Sequence, residues 1–239
     1  MKGNPLTEHP DDEPARRRTI RRMAPEERKR ELVEKAAEFF SEEGFEAGTR
    51  VLAGQLGISQ PLIYRYFASK DDLIDEVYYR VYIDQWQDSW LERLRDRDVP
   101  LRERLADFYA SYTATIFNRR WMRIFYFAAL KGLDINNRYM ERVRHTLLVP
   151  IGEEMRAETG HMDTSSISET ELEAVWLMHG MIFYQGIREH IYRSASTIDY
   201  DFVIKTAIDM YMDKAPAVIA SSMADGAPGA APGSQGPDA

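Results

Sequence analysis

The sequence predicts an all-α protein: a small N-terminal three-helix unit joined by a long helix to a larger helical unit. Three observations predict it. Apolar residues recur at spacings of three and four along most of the chain, the period of a helix face. No alternating apolar and polar run is long enough for a strand, and no internal repeat is present. Gly, Pro, Ser, Thr and Asp stand at the edges of the periodic segments, where helices stop and start. At 239 residues the chain can hold one large domain or two modest ones with a sizeable core.

Residues 1–24 are polar and carry Arg16, Arg17, Arg18, Arg21 and Arg22, so they read as a disordered basic arm, either solvated or laid along phosphates. Helix 1 starts at Pro25, with Glu26 and Glu27 suited to the positive end of its dipole. Leu32, Val33, Ala36, Ala37, Phe39 and Phe40 form its apolar stripe, and Gly44 ends it. Two short helices follow within residues 48–67. Thr49 is placed to cap the first, and Leu52, Ala53 and Leu56 share one face. Gly57 supplies the turn. Ser59 is placed to cap the second, and Pro61 fits its first turn because the N–H it lacks would have no intrahelical partner there. Ile63 and Phe67 point inward; Gln60, Pro61, Tyr64, Arg65 and Tyr66 are left outward. A Ser69/Asp72 capping box opens a helix expected to run from Lys70 to about Arg95, roughly 35–40 Å at 1.5 Å per residue, long enough to link the two units.

Pro100 opens a helix carrying Leu101, Leu105, Phe108, Tyr109, Tyr112 and Ile116. Another spans Arg119 to Lys131 and closes at Gly132. Asp134 is placed to cap a third, which Pro150 should kink or break before Gly160 ends it. A polar loop from His161 to Ser168 leads to a Ser168/Glu171 capping box and a strongly apolar helix. The final helix lies near Tyr200 to Asp213, and residues 214–239, rich in Ala, Pro, Gly and Ser, read as a disordered tail.

Two short helices around a Gly turn, the second with a polar and aromatic outer face, form the pattern of a helix-turn-helix, whose second helix enters the DNA major groove. An ordinary helical hairpin would read the same way. Charge separates the two readings. The chain is acidic overall, at −8, yet residues 14–70 hold 12 Lys/Arg against 8 Asp/Glu. Residues 71–239 hold 18 against 27, so the basic excess lies with the motif and the acidic remainder would repel a duplex.

Thr49-Arg50-x-Leu52-Ala53, Leu56-Gly57-Ile58-Ser59-Gln60-Pro61-Leu62-Ile63-Tyr64-Arg65-Tyr66-Phe67 and Ser69-Lys70 with Leu73 closely resemble the N-terminal domain of TetR-type (TetR/AcrR) transcriptional regulators. The resemblance covers residues 25–85. It departs at Pro61, where many members have a small residue, often Gly. The resemblance implies a DNA-binding domain at 25–85 and a helical ligand-binding and dimerisation domain at 86–213. Gln60, Pro61, Tyr64, Arg65 and Tyr66 would face the major groove, Arg65 toward guanine and Gln60 toward adenine. Thr49, Arg50, Tyr64 and Lys70 are placed for phosphates.

The resemblance further implies a small-molecule effector among the central helices and a homodimer through a four-helix bundle of the last two. Tyr109, Tyr112, Trp121, Arg123 and Tyr126 are expected to line the pocket, although each aromatic is also explained as core. Trp176, His179, Phe183, Gly186, Ile187, Ala207, Ile208 and Tyr211 are expected at the dimer interface. A C₂ dimer would present two recognition helices about 34 Å apart to a palindromic operator.

The reading is a cytoplasmic repressor that releases its operator on binding a small molecule. Zero Cys fits a reducing compartment, and no apolar run reaches transmembrane length. The five His show no metal-ligand spacing, and no phosphate-cradling Gly-rich loop or nucleophile elbow is present, so neither a metal, a cofactor nor an enzymatic activity is expected. The alternative is a helical small-molecule-binding protein or enzyme without specific DNA binding.

Overall fold

The computed structural model describes residues 24–161, 166–194 and 197–225. The basic arm and the last part of the tail lie outside these residues, as does part of the loop before Ser168. The described residues are helical throughout, without a strand. The helices are α1 (Pro25–Glu43), α2 (Thr49–Gln55), α3 (Gln60–Tyr64), α4 (Lys70–Tyr78), α5 (Ser89–Leu94), α6 (Leu101–Ile116), α7 (Arg119–Lys131), α8 (Ile135–Val143), α9 (Val149–Glu158), α10 (Glu169–His190) and α11 (Tyr200–Asp225). Two π-helical segments, Tyr79–Ile83 and Arg144–Leu148, extend α4 and join α8 to α9.

The local signals mostly act as expected. Pro25 stands in the first turn of α1. Both capping boxes form, Ser69 with Asp72 and Ser168 with Glu171. The other predicted caps do not: Gly48 rather than Thr49 is the N-cap of α2, and the side chains of Ser59 and Asp134 make no cap hydrogen bond. Pro150 leaves its mark one turn early. Its ring would crowd the carbonyl four residues back, and the chain widens there into the π segment, with Val149 N–H donating to the Arg144 carbonyl five residues back.

The long helix expected from Lys70 to Arg95 is broken. Its regular part ends with the π segment at Ile83, so it spans about 20 Å at 1.5 Å per residue. The polar run Asp84, Gln85, Gln87, Asp88 and Ser89 carries the break. Trp86 folds back edge-on to Trp90, with ring centroids 5.3 Å apart. Trp90 is buried, and its Nε1–H donates to Ser111 Oγ at 2.9 Å. Trp90 thus gains a buried position and a hydrogen bond, and the half-buried Trp86 packs against it.

The last helix runs past the expected end at Asp213. Ile204, Ile208, Tyr211, Ala215 and Ile219 form one buried stripe, so α11 continues into residues that composition assigned to the tail. α10 and α11 make the most extensive helix pair, and α7 packs along α1. One continuous core runs from Leu32 to Ile219.

Candidate nucleic-acid interface

Three helices build this site. Phe40 and Phe45, stacked at 4.8 Å, lie beneath the motif. Leu52 and Ala53 of α2, Ile63 of α3 and the adjacent Phe67 bury their side chains in the same core as Leu73 and Ile74 of α4. Gly57 makes the turn at φ +64, a left-handed conformation that costs glycine little. With the apolar side buried, Pro61, Tyr64 and Arg65 are exposed together with Arg50, and Gln60 is half-buried beside them.

Three of these side chains are cross-linked. Gln60 Nε2 donates to Thr49 Oγ1 at 2.9 Å, and Thr49 Oγ1 shares a hydrogen bond with the Tyr64 hydroxyl, also at 2.9 Å. The pair ties the start of α2 to both ends of α3 and orients Tyr64 and Gln60 in advance. Thr49 itself is buried, so its hydroxyl serves this network. Lys70 Nζ donates to the Phe45 carbonyl, anchoring the start of α4 to the loop after α1. Tyr66 departs from the outward face: it is half-buried and lines a groove with Lys29, Phe67, Asp72 and Tyr79.

The cations sort into two groups. Among the described residues, no carboxylate lies within ion-pair distance of Arg50 or Arg65. Those on α7 are committed: Arg119 holds Glu42 at 3.0 Å, Arg120 holds Glu34 at 2.8 Å, and Arg123 donates to the Ser41 and Glu42 carbonyls at the end of α1. An exposed guanidinium without a carboxylate is free to meet a phosphate or a base edge.

Residues 32–77, which contain α2, α3 and the core beneath them, match the family model described as bacterial regulatory proteins, tetR family. This stretch is therefore similar to the N-terminal domain of that family. Family members are DNA-binding transcriptional regulators rather than enzymes. The fold agrees beyond the matched residues. A TetR-family transcriptional regulator from Streptomyces coelicolor superimposes with a TM-score of 0.56 at 20% identity, over 85% of this chain and 91% of that one. A TetR-family regulator from Pseudomonas syringae pv. tomato gives 0.56 at 16% identity, over 80% and 97%. The similarity in fold therefore extends over the helical unit behind the helix-turn-helix as well.

In that second unit the sequence-predicted pocket residues divide. Tyr109, Tyr112 and Trp121 are buried together in an aromatic cluster. The Tyr112 and Tyr139 hydroxyls share a hydrogen bond at 2.9 Å, and the Tyr109 hydroxyl meets His179 Nδ1 at 3.3 Å. Tyr82, not singled out from the sequence, packs edge-on to Trp121 at 4.9 Å and donates to its carbonyl. Burial pushes the Tyr112 hydroxyl well above its ordinary range and brings His179 down to about 4. Tyr126 lies half-buried at the edge, against Phe125. Arg123 points away from the cluster to α1, so it does not serve as the cation of a pocket.

The predicted interface residues mostly face their own chain. His179, Gly186, Ala207, Ile208 and Tyr211 are buried, and Trp176, Phe183 and Ile187 are half-buried against the core. Gly186 has an internal reason: a Cβ there would stand 2.8 Å from the Phe117 ring. The exposed apolar side chains of these helices are instead Leu177, Met181 and Tyr184 on α10, with Phe202 and Met210 on α11. The spacing of Leu177, Met181 and Tyr184 was legible as a second stripe. The α7 arginines also carried a signal, since three cations near a helix N-terminus oppose its dipole unless carboxylates elsewhere hold them.

Among the described residues no helix is long and apolar enough to cross a membrane, and no group of three His, Asp or Glu could hold a metal ion.

Proposed function

We propose that this regulator is a cytoplasmic homodimeric repressor that holds a palindromic operator and releases it when a small molecule enters the aromatic cluster. The observation that carries the DNA half is the exposure of Arg50 on α2 and of Pro61, Tyr64 and Arg65 on and just after α3, the arginines without carboxylate partners among the described residues, with the two helices tied by the Thr49–Gln60–Tyr64 bonds. Arg65 reads guanine, Gln60 reads adenine, and Arg50 and Tyr64 hold phosphates. Lys70 and Thr49 act as supports.

The dimer forms through Leu177, Met181 and Tyr184 of α10 with Phe202 and Met210 of α11, the apolar faces that the single chain leaves exposed. Response to the effector runs through α7. One face of α7 carries Trp121 and Phe125 in the aromatic cluster; the other grips α1 through Arg119, Arg120 and Arg123. A shift of α7 moves α1, on which the motif rests. Coupling of about 1–3 kcal/mol would change operator affinity roughly 5- to 150-fold.

The test is selection from a randomised duplex pool at two salt concentrations. A palindrome enriched at both supports the reading. Binding that shows no sequence preference and vanishes at the higher salt would leave only nonspecific attraction.

A further inference from the structure

Among the described residues four buried side-chain polar atoms lack a hydrogen-bond partner, Trp121 Nε1, Asn136 Oδ1, Arg138 Nε and Arg142 Nε, and Trp121 Nε1 is the one carried by a ring of the aromatic cluster. Trp121 is 1% exposed, and its indole Nε1–H has no hydrogen-bond acceptor among the described residues. Its neighbours are rings: Phe125 stacks on it at 5.3 Å, while Tyr82, Tyr139 and Phe183 stand edge-on at 4.9, 5.3 and 6.0 Å. The other polar atoms of the cluster already have partners, Tyr82 with the Trp121 carbonyl, Tyr112 with Tyr139, and Tyr109 with His179. A buried donor left unmatched is costly, and an acceptor brought to it recovers that cost.

The charges nearby are turned elsewhere. Arg123 is bound to the end of α1. Arg138 and Arg142 lie over the Tyr78 and Trp86 rings at the rim, Arg138 paired with Asp75, and each keeps a buried Nε–H without a hydrogen-bond acceptor among the described residues. His179 is held neutral by burial, down to about 4. An anion placed among the inner rings would lose its hydration, and would reach the Arg138 and Arg142 guanidiniums only by leaving those rings for the rim.

Space lies next to the cluster. A cavity of about 220 Å³ between α6 and α11 is lined by Ala110, Thr113, Ala114, Phe117, Tyr200 and Ile204, with Asp201 at its edge. The half-buried Phe117 ring separates it from Phe183, 5.7 Å away. Phe183 in turn stands 6.0 Å from Trp121, so two rings, Phe117 and Phe183, lie between the cavity and the indole.

We infer that the effector is an uncharged aromatic compound carrying a hydrogen-bond acceptor, which stacks among these rings and accepts the Trp121 Nε1–H. This rests on the effector reading above and names the chemistry of that site. Three probes of one shape test it on the full-length protein: 2-acetylnaphthalene, 2-isopropylnaphthalene and 2-naphthoate. Dissociation constants are measured for wild type and Trp121→Phe, and the four indole N–H signals are followed by ¹⁵N-edited NMR in wild type. The ketone should bind about tenfold more tightly than the hydrocarbon, the value of one added hydrogen bond. Trp121→Phe should bring the two to near equality. One indole signal should move downfield with the ketone and not with the hydrocarbon; this readout needs no variant.

The inference is overturned if 2-naphthoate binds as tightly as the ketone, if the preference for the ketone survives Trp121→Phe, or if none of the three binds. Operator affinity separates this from the effector reading. If the ketone binds as expected but leaves operator affinity unchanged, the site stands and ligand response fails. If only 2-naphthoate changes operator affinity, ligand response stands and this inference fails.

Discussion

Glu171 offers a stability prediction whose size and pH dependence both follow from its surroundings. It opens α10 and is buried. Burial alone would raise its carboxyl pKa. Arg156 outweighs this with two hydrogen bonds at 2.6 Å, and the Ser168 hydroxyl and backbone N–H add to them. The carboxyl falls from 4.5 to about 2. At about 1.4 kcal/mol per pH unit that difference is worth about 3 kcal/mol of folding stability.

The sign is fixed by the direction. A carboxyl with a depressed folded pKa contributes fully above 4.5, and the contribution is lost as pH falls toward 2. Glu171→Gln should therefore be less stable than wild type by about 3 kcal/mol at pH 7, and the gap should shrink to roughly half by pH 3. Urea unfolding of both proteins at equal concentration, at several pH values between 7 and 3, measures the gap. Other carboxylates held low by arginines, such as Glu34 and Glu154, titrate in both proteins and cancel in the difference. A gap that stays constant across this range would refute the argument, because it would mean that Glu171 contributes shape rather than charge.

Other outcomes follow from the same packing. His179 is lowered from 6.5 to about 4 by burial, so its contribution is complete above 6.5 and falls as pH drops toward 4. His179→Gln should lose less stability than wild type between pH 7 and 4.5, by roughly 2–3 kcal/mol in urea unfolding. Gly186→Ala places a methyl 2.8 Å from the Phe117 ring and should cost about 1–3 kcal/mol by overpacking, read as a lower urea midpoint with an unchanged slope. Met181→Asp puts a charge at the centre of the exposed α10 stripe; sedimentation should show dimers for wild type and monomers for the variant, with helicity by circular dichroism retained.

The helix-turn-helix was legible because its signals are local. Gly57, Pro61 and the Ser69/Asp72 box act within a few residues of themselves, so spacing alone placed the turn and the helix after it. The break at residues 84–88 was hidden for the opposite reason. Val81, Tyr82, Trp86 and Trp90 keep helical spacing, and what breaks the helix is the burial of Trp90 against Ser111, 21 residues away.

The tail misled through composition. Ala215 and Ile219 continue the stripe of α11, but Ala, Pro and Ser around them weaken the pattern. The interface residues show the limit of choosing by apolarity. On a helix with two apolar faces the larger side chains, Trp176 and Phe183, turn to the chain's own core, and the second face of Leu177, Met181 and Tyr184 is left exposed. Arg123 shows the same limit for charge, since nothing in its neighbours along the sequence reveals the α1 carbonyls it meets.

The proposed base readout rests on Arg65, which caps the C-terminal end of α3. The most direct measurement is the affinity of wild type and Arg65→Ala for the selected operator and for a set of operators with one base pair changed in each half-site. The account predicts that wild type discriminates against substitutions at one guanine position by about 5- to 150-fold, the 1–3 kcal/mol of a bidentate contact, and that Arg65→Ala loses discrimination at that position alone. An equal loss of affinity for every sequence would make Arg65 a phosphate contact, and no loss at all would take α3 out of the groove.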